Sequence, residues 1–189
     1  MCDRESSLPL IVTARNDGEA GIHALNRIFH SLRVSRLQLD EVKGEFGEWF
    51  SVGDPCVFKR NDYSRGLFNG LLGTVAAVDP EARTVKAKFD GYDEPHELAT
   101  PDLIDLQLAY AITCHRGQGS EAQVVIIPLY RTRLLDRSWL YTAVTRAKRQ
   151  VVLIGSRDVL VEGLAVRPTA ERRCVGFEWI QHTSALAAL

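Results

Sequence analysis

Arg146 is the residue best suited to do chemistry in this chain of 189 residues. It sits in the run Tyr141-Thr142-Ala143-Val144-Thr145-Arg146-Ala147-Lys148, which reads as the end of a helix over residues 136–148 with Thr142, Thr145 and Lys148 on a polar face. A guanidinium is planar, permanently charged and able to grip two oxygens at once, which suits a site where charge develops on a transferring phosphoryl group. Such a cation, supplied from across a cleft, raises phosphoryl-transfer rates by about 10³- to 10⁵-fold. Taken alone, an arginine on a helix is more ordinarily a solvated surface charge. Upstream lies Thr113-Cys114-His115-Arg116-Gly117-Gln118-Gly119-Ser120-Glu121. Gly117 and Gly119 leave the backbone bare for close approach. Thr113 and Ser120 can bond phosphate oxygens, and His115 can stack on a base or bond to sugar. By itself this segment is equally a glycine-rich surface turn leading into a buried strand. Nowhere does the chain contain Gly-x-x-x-x-Gly-Lys-Ser/Thr, so nothing in it cradles a triphosphate in the P-loop manner. These residues are expected to complete a site whose other half lies elsewhere, and the chain alone is expected not to hydrolyse ATP.

The two blocks resemble motifs VI and V of superfamily 1 DNA helicases. They are most similar to the RecD-like branch (exodeoxyribonuclease V alpha subunit), with conjugative relaxase-helicases also alike. The branch's motif V is written T-x-H-K-S-Q-G-S-E; here Arg116 replaces the lysine and Gly117 the serine. Charge is kept at the first position. A hydroxyl is lost at the second, so no role passes to Gly117. The resemblance implies that Arg146 is an arginine finger and that Thr113, His115, Arg116 and Ser120 contact one DNA strand. It implies further that Gln118, Gly119 and Glu121 lie near the nucleotide, Glu121 toward its ribose. Residues 10–26 are similar to the segment that opens the branch's second motor domain, in which an arginine after a strand faces the γ-phosphate. Arg15 holds that place, although Thr13-Ala14 stands where proline and methionine are frequent. A plain turn arginine is the alternative.

The centre of the chain resembles the family's barrel insert through Val52-Gly53-Asp54, Asn61-Asp62-Tyr63, Phe68-Asn69-Gly70 and Gly73-Thr74-Val75. In relatives that insert helps to hold single-stranded DNA. Lys59, Arg60, Asn61 and Tyr63, with Arg65, offer the charges and the aromatic that a single strand uses, though a solvated loop has the same composition. A second basic group, Arg131, Arg133, Arg137, Lys148 and Arg149, could track a phosphate backbone or face water.

The resemblance thus implies an α/β fold, a RecA-like (P-loop NTPase-type) parallel sheet over residues 1–50 and 101–189 with an SH3-like small β-barrel inserted at 51–100. It implies the C-terminal motor domain of an ATP-dependent DNA helicase. ATP and Mg²⁺ would be held mainly by an amino-terminal RecA-like domain, in cis or in trans. Single-stranded DNA is the implied ligand, and recombination or conjugation subunits are further implied partners. A stand-alone, non-catalytic module that binds single-stranded DNA or a helicase partner is the competing reading.

Bulk properties bound these readings. Hydrophobic residues make up 46% and charged residues 25% of the chain, as in a soluble globular domain. The formal net charge is −1, so any nucleic-acid site must be a local patch. Cys2, Cys56, Cys114 and Cys174 form no Cys-x-x-Cys pair and read as free thiols of a reducing compartment, with no zinc or other metal site. No apolar run approaches the ~20 residues that span a bilayer. Asp3, Arg4 and Glu5 precede only a short apolar run, so neither a leader nor a membrane is expected, and the location expected is cytoplasmic.

The elements that must position these residues follow from periodicity. Residues 8–14 read as a buried strand, Arg15-Asn16-Asp17-Gly18 as a turn, and 19–32 as a helix with Ile22, Leu25, Phe29 and Leu32 inward. Residues 35–49 read as a linker into the insert. Strands are expected at 55–59, 73–78 and 84–89, with turns at Asn69-Gly70 and 79–83. Residues 108–115 read as a short helix, 124–128 and 150–155 as buried strands, and Ser156 as the cap of a last helix.

Overall fold

The chain runs β1 Leu10–Val12, α1 Ile22–Leu37, β2 Glu41–Lys43, β3 Trp49–Ser51, β4 Pro55–Phe58, β5 Leu71–Asp79, β6 Thr84–Phe89 and β7 His96–Leu98. It continues with α2 Thr100–Leu103, β8 Leu106–Leu108, β9 Ala111–Ile112, β10 Ala122–Pro128, α3 Arg137–Val144, β11 Ala147–Ile154 and α4 Arg157–Ala165. The structure is a computed structural model that describes residues 9–45, 47–114 and 121–166.

One sheet is parallel throughout, in the order β11-β10-β1-β9. Its inner strands bury Val12, Val125 and Ile127, whereas β11, at the edge, is not the buried strand expected at 150–155: Leu153 and Ile154 are exposed there because β11 has a ladder neighbour on one side only. Val12, Val125 and Ile127 meet Ala143 of α3 and Cys114 in one buried cluster. The other sheet is antiparallel, in the order β7-β6-β5-β4-β8. The β2–β3 hairpin shares its core, where Val42 and Phe50 pack with Phe58, Phe89, Leu98 and Leu106. Each such side chain contributes roughly 1.5–3 kcal/mol by leaving water.

The two sheets are joined by chain continuity, by apolar packing of Val57 and Leu72 on Ile112 and Leu10, and by the polar residue Asn26. β8, paired to β4, passes through Ala109 and Tyr110 directly into β9, paired to β1. At that crossing Asn26 of α1 donates Nδ2 to Leu108 O at 2.8 Å and accepts Ala111 N at 2.7 Å. It stands in for ladder partners where one sheet ends and the other begins, and so satisfies buried backbone groups.

Several sequence expectations are corrected. α1 starts at Ile22 because residues 15–21 form a turn in which Ile22 N donates to Arg15 O and His23 N to Asn16 O. The buried face of α1 is Ile22, Asn26 and His30, whereas Leu32 is 62% exposed and Phe29 also faces outward. The inward stripe is polar because it carries hydrogen bonds to the rest of the molecule, which an apolar period cannot reveal. The stretch 35–49 is not a linker: it holds the last turn of α1 and the β2–β3 hairpin. In place of the short helix expected at 108–115, Leu108 ends β8 and Ala111–Ile112 form β9, since each finds a ladder partner. The antiparallel sheet therefore extends to Leu108, past the expected limit at residue 100. Asn69-Gly70 is no two-residue hairpin turn; residues 59–70 form a longer loop pinned by reciprocal bonds between Asp62 and Leu67 at 2.7 and 3.0 Å. α3 ends at Val144, leaving Arg146 in a turn and Lys148 on β11. Among the described residues Cys56 and Cys114 are buried and not joined in a disulfide, and no helix is long and apolar enough to cross a membrane.

Candidate nucleotide and nucleic-acid site

α3 begins at Asp136, whose carboxylate accepts Trp139 N at 2.8 Å and caps the helix. It closes with Thr145 Oγ1 donating to Tyr141 O at 2.9 Å. That tight end turns the chain inward at Arg146, which is only 6% exposed. Its Nη2 donates to Cys114 O at 2.6 Å, while its own carbonyl accepts Ala122 N at 3.0 Å. A solvated surface arginine is thereby ruled out. A guanidinium stays charged wherever it lies, so this fold holds a permanent cation inside, at the point where the chain enters residues 115–120. Burial pushes the Cys114 thiol up to about 11 despite the adjacent Arg146 charge, so it stays a neutral thiol.

Of the expected DNA and nucleotide residues, His115, Arg116, Gln118, Gly119 and Ser120 lie outside the described residues, as does Gly117. Thr113 is half-buried beside Cys114, next to Ile112 of β9. Glu121 is exposed and pairs with Lys148 at 3.0 Å. The basic group after β10 is largely paired as well: Arg131 makes a two-pronged contact with Glu162 at 3.0 and 2.8 Å. Arg137 reaches Leu164 O at 3.5 Å.

Arg15 and Arg146 come from different strand ends. β1, β10 and β11 run parallel; Arg15 lies beyond the carboxyl end of β1 and Arg146 just before the amino end of β11. The guanidinium of Arg15 sits 5.2 Å from the Tyr130 ring centroid, a cation–π contact. Thr13 Oγ1 donates to Ala20 O at 2.7 Å and receives the Tyr130 hydroxyl at 2.6 Å. The Arg146 guanidinium, for its part, is held on Cys114 O, two residues past the carboxyl end of β9, the strand paired in parallel with β1.

The loop between β4 and β5 is built to hold its shape. Arg65 places Nη1 and Nη2 on Asp102 at 2.9 and 2.7 Å and Nε on Asp62 at 2.7 Å. That guanidinium holds both carboxyls below the usual range, after the Ser64 hydroxyl in the case of Asp62. Asn61, exposed, accepts Asn69 N with Oδ1 at 2.8 Å and so helps to shape the loop. Lys59 N donates to Asp105 O, and the Arg60 side chain pairs with Asp105 at 3.2 Å. What the loop presents is Tyr63, 78% exposed, edge-on to Phe68, 49% exposed, with ring centroids 6.1 Å apart. Phe68 escapes a sequence reading because Asn69-Gly70 marks its surroundings as a turn. Its one legible signal is an aromatic residue at a turn, where polar residues predominate.

The UvrD-like helicase C-terminal domain family matches residues 108–154, which hold both motif blocks. The RecBCD enzyme subunit RecD of Mycolicibacterium smegmatis is 36% identical over 170 residues, covering 86% of this chain and 28% of the relative. The ATP-dependent RecD2 DNA helicase of Deinococcus radiodurans is 42% identical over 106 residues, 55% of this chain and 14% of the relative. The chain therefore spans about a quarter of the curated relatives it matches. Among solved structures, Pif1 helicase from Bacteroides in complex with ADP-AlF3 and ssDNA superposes with a TM-score of 0.56 at 20% identity, over 90% of this chain and 46% of that one. Pif1 helicase from Candida albicans gives 0.51 at 16% identity, over 85% and 48%. These likenesses identify the parallel sheet and its helices as RecA-like. With its motif block in the UvrD-like family and RecD and RecD2 as its relatives, the chain belongs to the RecD-like superfamily 1 helicases as a C-terminal helicase domain.

Proposed function

We propose that this chain is the second half of an ATP-driven DNA motor. It supplies Arg146 as arginine finger and part of the grip on single-stranded DNA to an active site completed by an amino-terminal RecA-like domain. The carrying observation is the burial of Arg146, charged and fixed on Cys114 O where residues 115–120 begin. ATP and Mg²⁺ would be bound mainly by the partner domain, since this chain has no P-loop. Closure of the two halves brings the guanidinium to the γ-phosphoryl group, and reopening after hydrolysis moves the domains along one strand. Gln118, Gly119 and Glu121 are assigned to the nucleotide side of this cleft, and Thr113, His115, Arg116 and Ser120 to the DNA side. Arg15, after β1, is assigned as a second cation toward the γ-phosphate.

The antiparallel sheet and its hairpin, in this reading, are an SH3-like barrel inserted between α1 and β9. Tyr63 and Phe68 form its stacking platform, with Lys59 and Arg60 beside them. Base–aromatic stacking is worth ~1–3 kcal/mol, so Tyr63→Ala and Phe68→Ala are each expected to weaken binding of a labelled oligothymidylate by roughly five- to 150-fold. Fluorescence anisotropy reads the effect. Affinities equal to the parent protein's in both variants would remove the platform.

The motor half is tested by phosphate release. The 189-residue chain is expected to release none above background with single-stranded DNA, and turnover is expected once it is joined to a domain carrying Gly-x-x-x-x-Gly-Lys-Thr. Turnover by the chain alone would overturn the proposal.

A further inference from the structure

α1 meets the insert through a buried polar cluster that the proposed mechanism does not use. Its centre is the Asp54 carboxylate, 0% exposed. Oδ2 lies 2.8 Å from His30 Nδ1 and accepts Ser51 N at 2.7 Å; Oδ1 accepts the Tyr110 hydroxyl at 2.6 Å and Arg33 Nη1 at 3.2 Å. The other ring nitrogen of His30, Nε2, lies 2.8 Å from Glu41 Oε1. The charged and titratable groups around the imidazole thus come from α1 (Arg33), β2 (Glu41), the turn after β3 (Asp54) and the β8–β9 link (Tyr110). β5 closes the site with backbone alone, Val75 N donating to Asp54 O.

A neutral imidazole has a single N–H. Two carboxylates, one on each ring nitrogen, are both satisfied only by the doubly protonated ring. We infer that His30 is a positioning residue: as an imidazolium it clasps Asp54 and Glu41 and fixes the insert on α1, and loss of its proton releases that clasp. The consequence for DNA rests on the proposed function. A released insert carries the Tyr63–Phe68 loop out of line with the motor body, so the grip loosens as pH rises.

The direction of the titration agrees. Burial by itself would lower the His30 pKa, but the hydrogen bonds and charges of Asp54 and then Glu41 outweigh it and raise the value above its ordinary 6.5. A raised folded-state pKa gives a stabilisation that is complete below 6.5 and is lost as pH climbs through the folded value. The window in which the clasp weakens therefore opens upward from 6.5.

Long-range ¹H–¹⁵N NMR of the full chain, assigned against His30→Gln, is expected to show both His30 ring nitrogens protonated at neutral pH. Amide exchange at Ser51, corrected for intrinsic rates, is expected to quicken about tenfold between pH 6.5 and 9 in the parent protein and to be fast and flat in His30→Gln. Should His30→Gln fail to fold, Glu41→Gln removes the more exposed partner and is expected to lower the His30 titration midpoint. A singly protonated ring at neutral pH, or an unchanged midpoint in Glu41→Gln, overturns the clasp. So does the same pH dependence at Ser51 in His30→Gln as in the parent protein. Oligothymidylate anisotropy at pH 6.5 and 8.5 separates the two proposals. Absence of DNA binding at both values removes the motor reading and leaves a clasp seen by NMR standing.

Discussion

Arg146→Ala is expected to lower DNA-stimulated ATP turnover of the assembled motor by about 10³- to 10⁵-fold, the scale of arginine-finger loss in phosphoryl transfer. The reason lies in where the guanidinium sits. It is almost wholly buried and tethered to Cys114 O at 2.6 Å, so its position is set before nucleotide arrives. A pre-positioned cation stabilises charge that grows only in the transition state. The effect should therefore fall on kcat, with nucleotide affinity largely retained. Arg146→Lys keeps the charge but loses the fork that grips a carbonyl and a phosphoryl oxygen together, and is expected to recover little of the rate. Phosphate release under saturating ATP, alongside nucleotide binding by titration, checks both. Near-parental turnover in the alanine variant would mean that the buried guanidinium merely supports the turn before β11.

The second large effect is on stability. Asp54→Ala is expected to cost about 3–5 kcal/mol, because it leaves the His30 and Arg33 cations facing an apolar hole in a buried site. Ser51 N and the Tyr110 hydroxyl lose an acceptor at the same time. Against a total stability of about 5–15 kcal/mol for an ordinary domain, that loss moves the urea midpoint far down or abolishes a folded baseline. Disrupting the exposed Lys86–Glu97 pair, 3.4 Å apart, by Lys86→Ala is the control, expected to cost no more than ~1 kcal/mol. Similar midpoints for the two variants would show that the Asp54 cluster is not what joins α1 to the insert.

How legible the fold is in the sequence depends on the physics of each element. β10, β5 and β6 announce themselves because their side chains alternate or run apolar between turn residues, and ladder pairing honours that local pattern. Asp136 and Ser156 can be read as helix boundaries, since a short polar side chain beside its own helix's N–H groups is a local device. The inward face of α1 is not legible, because Asn26 and His30 are buried by partners 24 or more residues away, at Asp54, Leu108 and Ala111. Residues 108–115 read as helical because β8, which ends at Leu108, and β9 are too short to show a period. They become strands only against β4 and β1.

The sequence by itself determined the motifs, the absence of a P-loop and hence the kind of chemistry to which the chain can contribute. These are properties of residue type and spacing, and no fold is needed to read them. The tertiary structure decided which arginine is held as a fixed cation. Arg15 and Arg146 are both arginines at strand ends, yet one lies exposed over a tyrosine ring and the other is buried on a carbonyl. It also decided that an acid, a histidine and a tyrosine from distant segments share one buried site. Burial and charge pairing are long-range, and only the folded chain fixes the distances on which they depend.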